Sequence, residues 1–368
     1  MTTLHTCGVF DAGAPQSRPN RVGANGDRAL TIDMHCHVMT KAVEVIVADQ
    51  PQKKAEPKMR VRTQGAPSAE FNAKVTLPAA LPKLFNVEER LADMDAMGVD
   101  LQVVSPSPGQ YYYWADHDLA RDLVETQNED IARICDAHPD RFLGLGNLAL
   151  QHPDLAIEQL DYMVGELGLK GVEISTSVND EEISADRFDK VWARMEALGC
   201  VVFIHPLGSS LGERMNRHYL QNIIGQPIET TIALSYLAFG GTLDRYPGLK
   251  ICAAHGGGYF PTYPGRGDHA WAHRDECRCM QHTPGDYLKR IHFDSLVYSS
   301  KALDLLIQQV GAEQVVIGTD YPFDMGHYDI HGLVEGVPGL SEEDRKAVLG
   351  GNAARLLGID PARYQSAS

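Results

Sequence analysis

Five stretches of this chain place a side chain able to bind metal at the end of an apolar run. Thr31-Ile32-Asp33-Met34-His35-Cys36-His37, Val201-Val202-Phe203-Ile204-His205, Ile251-Cys252-Ala253-Ala254-His255 and Val315-Val316-Ile317-Gly318-Thr319-Asp320 are the clear cases, and Gly171-Val172-Glu173 is a weaker fifth. Each puts an imidazole or a carboxylate where a buried strand would stop. Side chains alternate along a strand, so His35 and His37 face the same way. Two inward imidazoles preceded by Asp33 are expensive to bury neutral and unpaired, which favours a metal role. His205 before Pro206, His255 before three glycines and Asp320 after Gly318-Thr319 repeat the placement. A hard oxygen ligand beside imidazoles suits zinc, manganese or iron. Such an ion lowers the pKa of bound water toward neutrality, and a neutral histidine nearby can take or return the proton.

Groups at strand ends converge only if the strands lie side by side and parallel. Extended runs are expected at 29–36, 101–105, 142–148, 170–175, 200–205, 249–254, 291–295 and 314–319. Helical segments are expected at 87–97, 116–137, 153–167, 186–198, 226–245, 259–273 and 299–310, with a closing helical region near 341–357. Asp116, Asp154 and Asp186 stand where N-caps belong, and Gly98, Gly168 and Gly199 where left-handed residues end helices. Eight β-then-α units with right-handed crossovers predict a (β/α)8 TIM barrel, in which functional groups gather at the C-terminal face of the strands. Residues 1–28 read as an N-terminal arm and 29–360 as the barrel. The Lys-, Ala- and Pro-rich stretch 40–85 breaks the alternation and reads as an insertion over the C-terminal mouth.

Composition narrows the partners. The chain has 368 residues, 43% of them hydrophobic and 22% charged, which is enough for one large core. A formal charge of −16 and a pI near 5.3, with no Lys/Arg cluster, argue against a phosphate-backbone partner. No apolar run approaches the roughly 18 to 20 residues needed to cross a bilayer, and the first residues lack a signal-peptide pattern, so a cytoplasmic location is expected. Seven cysteines, several inside expected strands, suit free thiols in a reducing compartment.

The sequence is similar to the amidohydrolase superfamily, and within it to the branch of aminocarboxymuconate semialdehyde decarboxylase and the aromatic-acid decarboxylases. The residues that carry the resemblance are Asp33-Met34-His35-Cys36-His37, His205-Pro206, His255-Gly256-Gly257-Gly258 and Gly318-Thr319-Asp320-Tyr321-Pro322-Phe323. Arg141 to Gly146, Glu229-Thr230-Thr231, Phe260-Pro261 and Gly265-Arg266 with His269 extend it, from about residue 30 to 358. The resemblance implies one divalent metal, usually Zn2+, held by His35, His37, His205 and Asp320, with a bound water and with His255 beside it as acid/base. It implies that Arg266 binds the substrate carboxylate in a partner subunit's site, hence a homodimer or a pairing with a homologous subunit. Arg60 and Arg62, in the inserted segment, are candidates for another carboxylate contact. The expected activity is non-oxidative decarboxylation of a small aromatic or muconate-type acid.

Some residues depart from that pattern. Glu173 ends the fourth strand, where it either hydrogen-bonds a ligand histidine or holds a second metal. With His218, His273 and His255 it would build a binuclear Mn2+ or Fe2+ centre, and thus an oxygenase, a chemistry closed to redox-inert zinc. Hydrolysis of a lactone or amide is the other enzymatic alternative, and a silent metal-binding subunit the non-enzymatic one. Tyr111-Tyr112-Tyr113-Trp114 either walls an aromatic substrate or packs a loop.

Overall fold

The computed structural model describes residues 29–364; the expected arm at 1–28 and Cys7 lie outside the described residues. The strands are β1 (Ile32–Val38), β2 (Leu101–Pro106), β3 (Phe142–Gly146), β4 (Gly171–Ile174), β5 (Ser177–Val178), β6 (Glu181–Glu182), β7 (Val201–Ile204), β8 (Lys250–Ala253), β9 (Ile291–Asp294) and β10 (Val315–Val316). Eight of them form one sheet in the order β1-β2-β3-β4-β7-β8-β9-β10, every neighbouring pair parallel. Bridges Asp33–Ile317 and Cys36–Tyr321 bring the last strand back to the first. The expected (β/α)8 barrel is therefore present. The pair β5 and β6 is a small antiparallel hairpin after β4 that the periodicity did not announce.

Period-two alternation divides the apolar residues into two clusters. Leu101, Val103, Leu143, Leu145, Val201, Phe203, Cys252, Ala254 and Val316 fill the barrel, together with Ile32 and Met34. Their sequence neighbours Val104, Phe142, Val172, Val202, Ile204, Ile251, Ile291, Phe293 and Val315 face the helical layer. Each such Leu or Phe, fully buried, contributes about 1.5–3 kcal/mol.

Helices Val87–Met97, His117–Ala137, Pro153–Gly165, Asp189–Leu198, Gln226–Phe239, Pro264–His273 and Ser300–Val310 form the outer layer. Asp116 caps its helix by accepting from Leu119 N–H at 3.1 Å, and Gly98 and Gly199 end theirs at φ 70° and 60°. Asp154 and Asp186 are not caps. His152 precedes the helix begun by Pro153, and Asp186 lies inside a short 3-10 turn.

Segment 41–85 is helical despite its prolines: Pro51, Pro67 and Pro78 occupy first turns, where a backbone N–H has no intrahelical acceptor, while Pro57 and Pro82 lie inside helices. It crosses the mouth from loop to loop. Lys53 Nζ donates to Tyr112 OH after β2 (2.9 Å), the backbone of Gly65 abuts the carbonyl of Asn216 after β7, and Thr76 Oγ1 bonds Asp324 after β10 (2.9 Å). No helix among the described residues is long and apolar enough to cross a membrane.

Candidate metal centre

The barrel's inward positions change character at their last step. Along β7 they run Val201, Phe203, His205; along β10 and its continuation Val316, Gly318, Asp320; along β9 His292, Asp294. As a result His35, His37, His205 and Asp320, all buried, bring one ligand atom each within 4.8 Å of one another. It is the one such group found among the described residues.

Backing groups fix how the imidazoles point. His35 Nδ1 lies 2.6 Å from Asp294 Oδ2, and His37 Nδ1 lies 3.2 Å from the Pro106 carbonyl. A carbonyl or carboxylate oxygen accepts, so both Nδ1 atoms carry the proton and both Nε2 lone pairs face the cluster. Those Nε2 atoms, and both ring nitrogens of His205, are buried without a hydrogen-bond partner. Buried polar atoms are ordinarily paired, so three orphaned imidazoles around one carboxylate fit a cation as the missing partner. The donor set, three nitrogens and one oxygen, suits a divalent transition ion.

Electrostatics agree. Burial works against a charged His35, yet the hydrogen bond to Asp294 and the charges of Asp320, Asp294 and Glu173 push its pKa up to about 9. Burial, then the positive charges of His35 and His37, drives His205 well below its usual range. Burial also opposes ionisation of Asp320, but His35, His37 and His255 outweigh it and hold the carboxyl below its ordinary value. The pocket thus favours added positive charge and resists placing it on all the imidazoles at once.

Asp320 and His255 both adopt left-handed backbone, at φ 58° and 56°. Such conformations in non-glycine residues are sparsely populated and cluster at functional sites. The Asp320 N–H donates to the His35 carbonyl at 2.8 Å, and the His255 N–H to Asp294 Oδ2 at 3.0 Å. Gly318 is required for the approach of these strands: a Cβ there would lie 2.8 Å from the Cβ atoms of both Asp294 and His35.

His255 flanks the cluster, its ring centroid 5.3 Å from that of His35 and 5.0 Å from that of His205. Its Nδ1 has no partner. Burial, followed by the charge of His35, lowers its pKa to about 4, so the ring is neutral near pH 7.

Glu173 does not join the four. It sits behind His37, 3.5 Å from Nδ1, and its oxygens lie 2.5 Å from the hydroxyls of Ser105 and Tyr111. His218, in a turn, and His273, at the end of helix Pro264–His273, are both exposed, so the second metal position built from these residues is not formed. Tyr111 and Tyr113 stack on each other, and Tyr113 OH accepts from Ser175 N–H, which ties the loop after β2 to the end of β4. Arg266 and Arg62 are exposed on helices Pro264–His273 and Pro51–Gln64, with no carboxylate partner among the described residues. Within one chain neither is brought to the cluster.

Asp294 is the functional residue that the sequence reading missed. Its stretch, Ile291-His292-Phe293-Asp294, carries the same apolar-then-acidic signal as the others, with His292 interrupting the run. The hydrogen bond and charge of His35 outweigh burial and keep its carboxyl ionised.

Residues 32–359 match the family described as Amidohydrolase. The chain is 37% identical over 277 residues to 2-amino-3-carboxymuconate-6-semialdehyde decarboxylase of Dictyostelium discoideum, covering 75% of this chain and 77% of that one. Among solved structures, 5-carboxyvanillate decarboxylase from Sphingomonas paucimobilis superposes with a TM-score of 0.78 at 27% identity, over 90% of this chain and all of the other. The enzyme of the same name from Novosphingobium aromaticivorans, complexed with manganese and 4-hydroxy-3-methoxy-5-nitrobenzoic acid, gives 0.80 at 24% identity, over 94% and 99%. The family match over residues 32–359, together with a 37% identical relative covered over three quarters of its length, makes this chain a member of the amidohydrolase family.

Proposed function

We propose that the protein is a metal-dependent, non-oxidative decarboxylase of a small aromatic or muconate-type carboxylic acid. One observation carries the reading: three buried imidazoles with unpartnered nitrogens converge on an ionised Asp320, with a neutral histidine at their side. The decarboxylases among the relatives supply the reaction class. His35, His37, His205 and Asp320 would hold the ion. A divalent ion bound there supplies Lewis-acid polarisation of a substrate oxygen.

The protein's own groups do the rest. Asp294 and the Pro106 carbonyl lock the imidazole tautomers. His255, neutral at pH 7, takes a proton from solvent and delivers it to the carbon that loses carboxylate, which departs as carbon dioxide. The C–C bond breaks, its electron pair stays on that carbon, the proton fills the vacancy, and no oxidant is consumed. Arg266, exposed and without a carboxylate partner among the described residues, supplies a guanidinium to the carboxylate in a second copy's site, and Arg62 is the second candidate for that contact. The reading includes a homodimer at work in the cytoplasm. By donor type the ion is zinc, with the manganese of the Novosphingobium relative as the competing identity.

Elemental analysis combined with product detection tests this. Roughly one divalent ion per chain, unchanged in Glu173→Ala, with carbon dioxide released from carboxylated aromatic or muconate acids and no oxygen uptake, is the expected result. Hydrolysis of lactones or amides without carbon dioxide, or turnover that consumes oxygen, would sink it.

A further inference from the structure

Arg90, on helix Val87–Met97, is 1% exposed, and no carboxylate among the described residues pairs with it. Asp93, one turn along the helix, is bonded instead to Lys83 Nζ and to Tyr321 OH, at 2.7 Å each. A buried guanidinium without a counter-ion is costly, and an apolar residue would fill the space at less expense if packing were the only need. Its bonds show what it serves. Nη1 donates to Gln102 Oε1 at 3.0 Å, and Nη2 donates to the backbone carbonyl of His37 and, at 3.3 Å, to that of Lys83. The guanidinium also lies 4.7 Å from the centroid of the Tyr321 ring.

These contacts meet at the join between first and last strands. β10 is only two residues long, and beyond it the backbone is held to β1 by Met34 N–H to Ile317 O and His37 N–H to Tyr321 O, both 2.8 Å. Side chains complete the join. Gln102 donates to Asp33, which accepts in turn from Thr319 N–H and Oγ1. Two of the four ligands stand on one side of this join, at His35 and His37, and one stands on the other, at Asp320. Arg90 grips the peptide of His37 directly and the neighbour of Asp320 through its ring.

We propose that Arg90 is a positioning residue for the metal centre, a clamp setting the spacing between the ligands of β1 and Asp320. The inference rests on reading the four residues as a metal centre. Ion-free protein titrated with Zn2+ and with Mn2+ against a competing chelator tests it, alongside thermal unfolding of the ion-free and loaded forms. Arg90→Met is expected to raise the ion's Kd about 10- to 100-fold, as for residues that support ligands. A residue that only packs would lower both unfolding temperatures together and leave Kd unmoved, and that result overturns the proposal. If Arg90→Met does not fold, Tyr321→Leu and Tyr321→Phe decide. Loss of the ring face should weaken binding about threefold or more, whereas loss of the hydroxyl alone should not; equal affinity in both variants overturns the clamp. Wild-type protein that binds neither ion would instead refute the centre itself.

Discussion

The two ends of the barrel are built from the same strands and do opposite things. Toward the N-terminal end the inward residues are apolar, and helix Asn352–Leu357 packs Ala353, Ala354, Leu356 and Leu357 against them. Polar groups there are mostly matched, as where Asn352 Nδ2 lies 2.7 Å from the carbonyls of Ala312 and Val315. At the C-terminal end the last inward residue of most strands turns polar, and several of these side-chain atoms have no partner. The lower end stores stability and the upper end gives some of it up for binding, since an unsatisfied buried group costs about 1–3 kcal/mol. One inward face can serve both purposes because its period of two runs through a change of residue type without a change of backbone.

That division predicts a double dissociation. His205→Ala should abolish ion binding and lower turnover by about 10²–10³-fold or more while the fold persists, measured by metal content and carbon dioxide release. Leu145→Ala, wholly buried in the barrel, should do the reverse: about 2–5 kcal/mol lost in denaturant unfolding with the ion's Kd unchanged. If His205→Ala unfolds the chain, or Leu145→Ala empties the site, the two ends are not separable. Asp294→Asn sharpens the boundary, because it keeps the shape and removes the charge behind His35. Ion affinity should fall about 10- to 100-fold, with a smaller effect on unfolding.

The smallest effect concerns an exception at the lower end. His292 is inward and mostly buried, and burial followed by the charge of Arg355 lowers its pKa to about 4. In the unfolded chain the ring titrates near 6.5, so between these values the unfolded state binds more protons. Its contribution is present above pH 6.5 and is lost as pH falls through 4. Wild type should therefore lose about 1–2 kcal/mol more than His292→Gln across that window. Parallel stability curves for the two proteins would contradict the shift.

Much of this was legible in the chain because both ends obey local rules. An apolar run followed by a histidine or aspartate marked where strands stop, and the alternation marked which face they share. The last strand was legible as a run, 314–319, but it ends at Val316 because Gly318-Thr319-Asp320 leaves the ladder on its way to a left-handed turn. Arg90 was illegible: on an amphipathic helix an arginine reads as a solvated face, and only the closing of the barrel brings Tyr321 and the His37 carbonyl against it. Asp294 carries the same signal as the other strand ends, an apolar run that stops at a carboxylate, with His292 interrupting it. The long helix expected at 226–245 breaks at Gly240 and Gly241, the second at φ 72°. Helix Pro264–His273 starts five residues later than expected, because the chain after His255 first makes a glycine turn in which Gly256, Gly257 and Gly258 all have positive φ.

The join between β10 and β1 has a further consequence in the language of local unfolding. Elsewhere the barrel's neighbours pair as strands, with a register shift between Asp33 and Cys36 in β1, but here two isolated bridges stand in for a ladder. Four backbone bonds cross this join without forming a continuous ladder, and such a junction is a place where local opening is expected. The amide hydrogens of Met34 and His37, which donate across this join, are therefore clocks: their exchange with solvent times the parting of the functional end while the apolar floor stays shut.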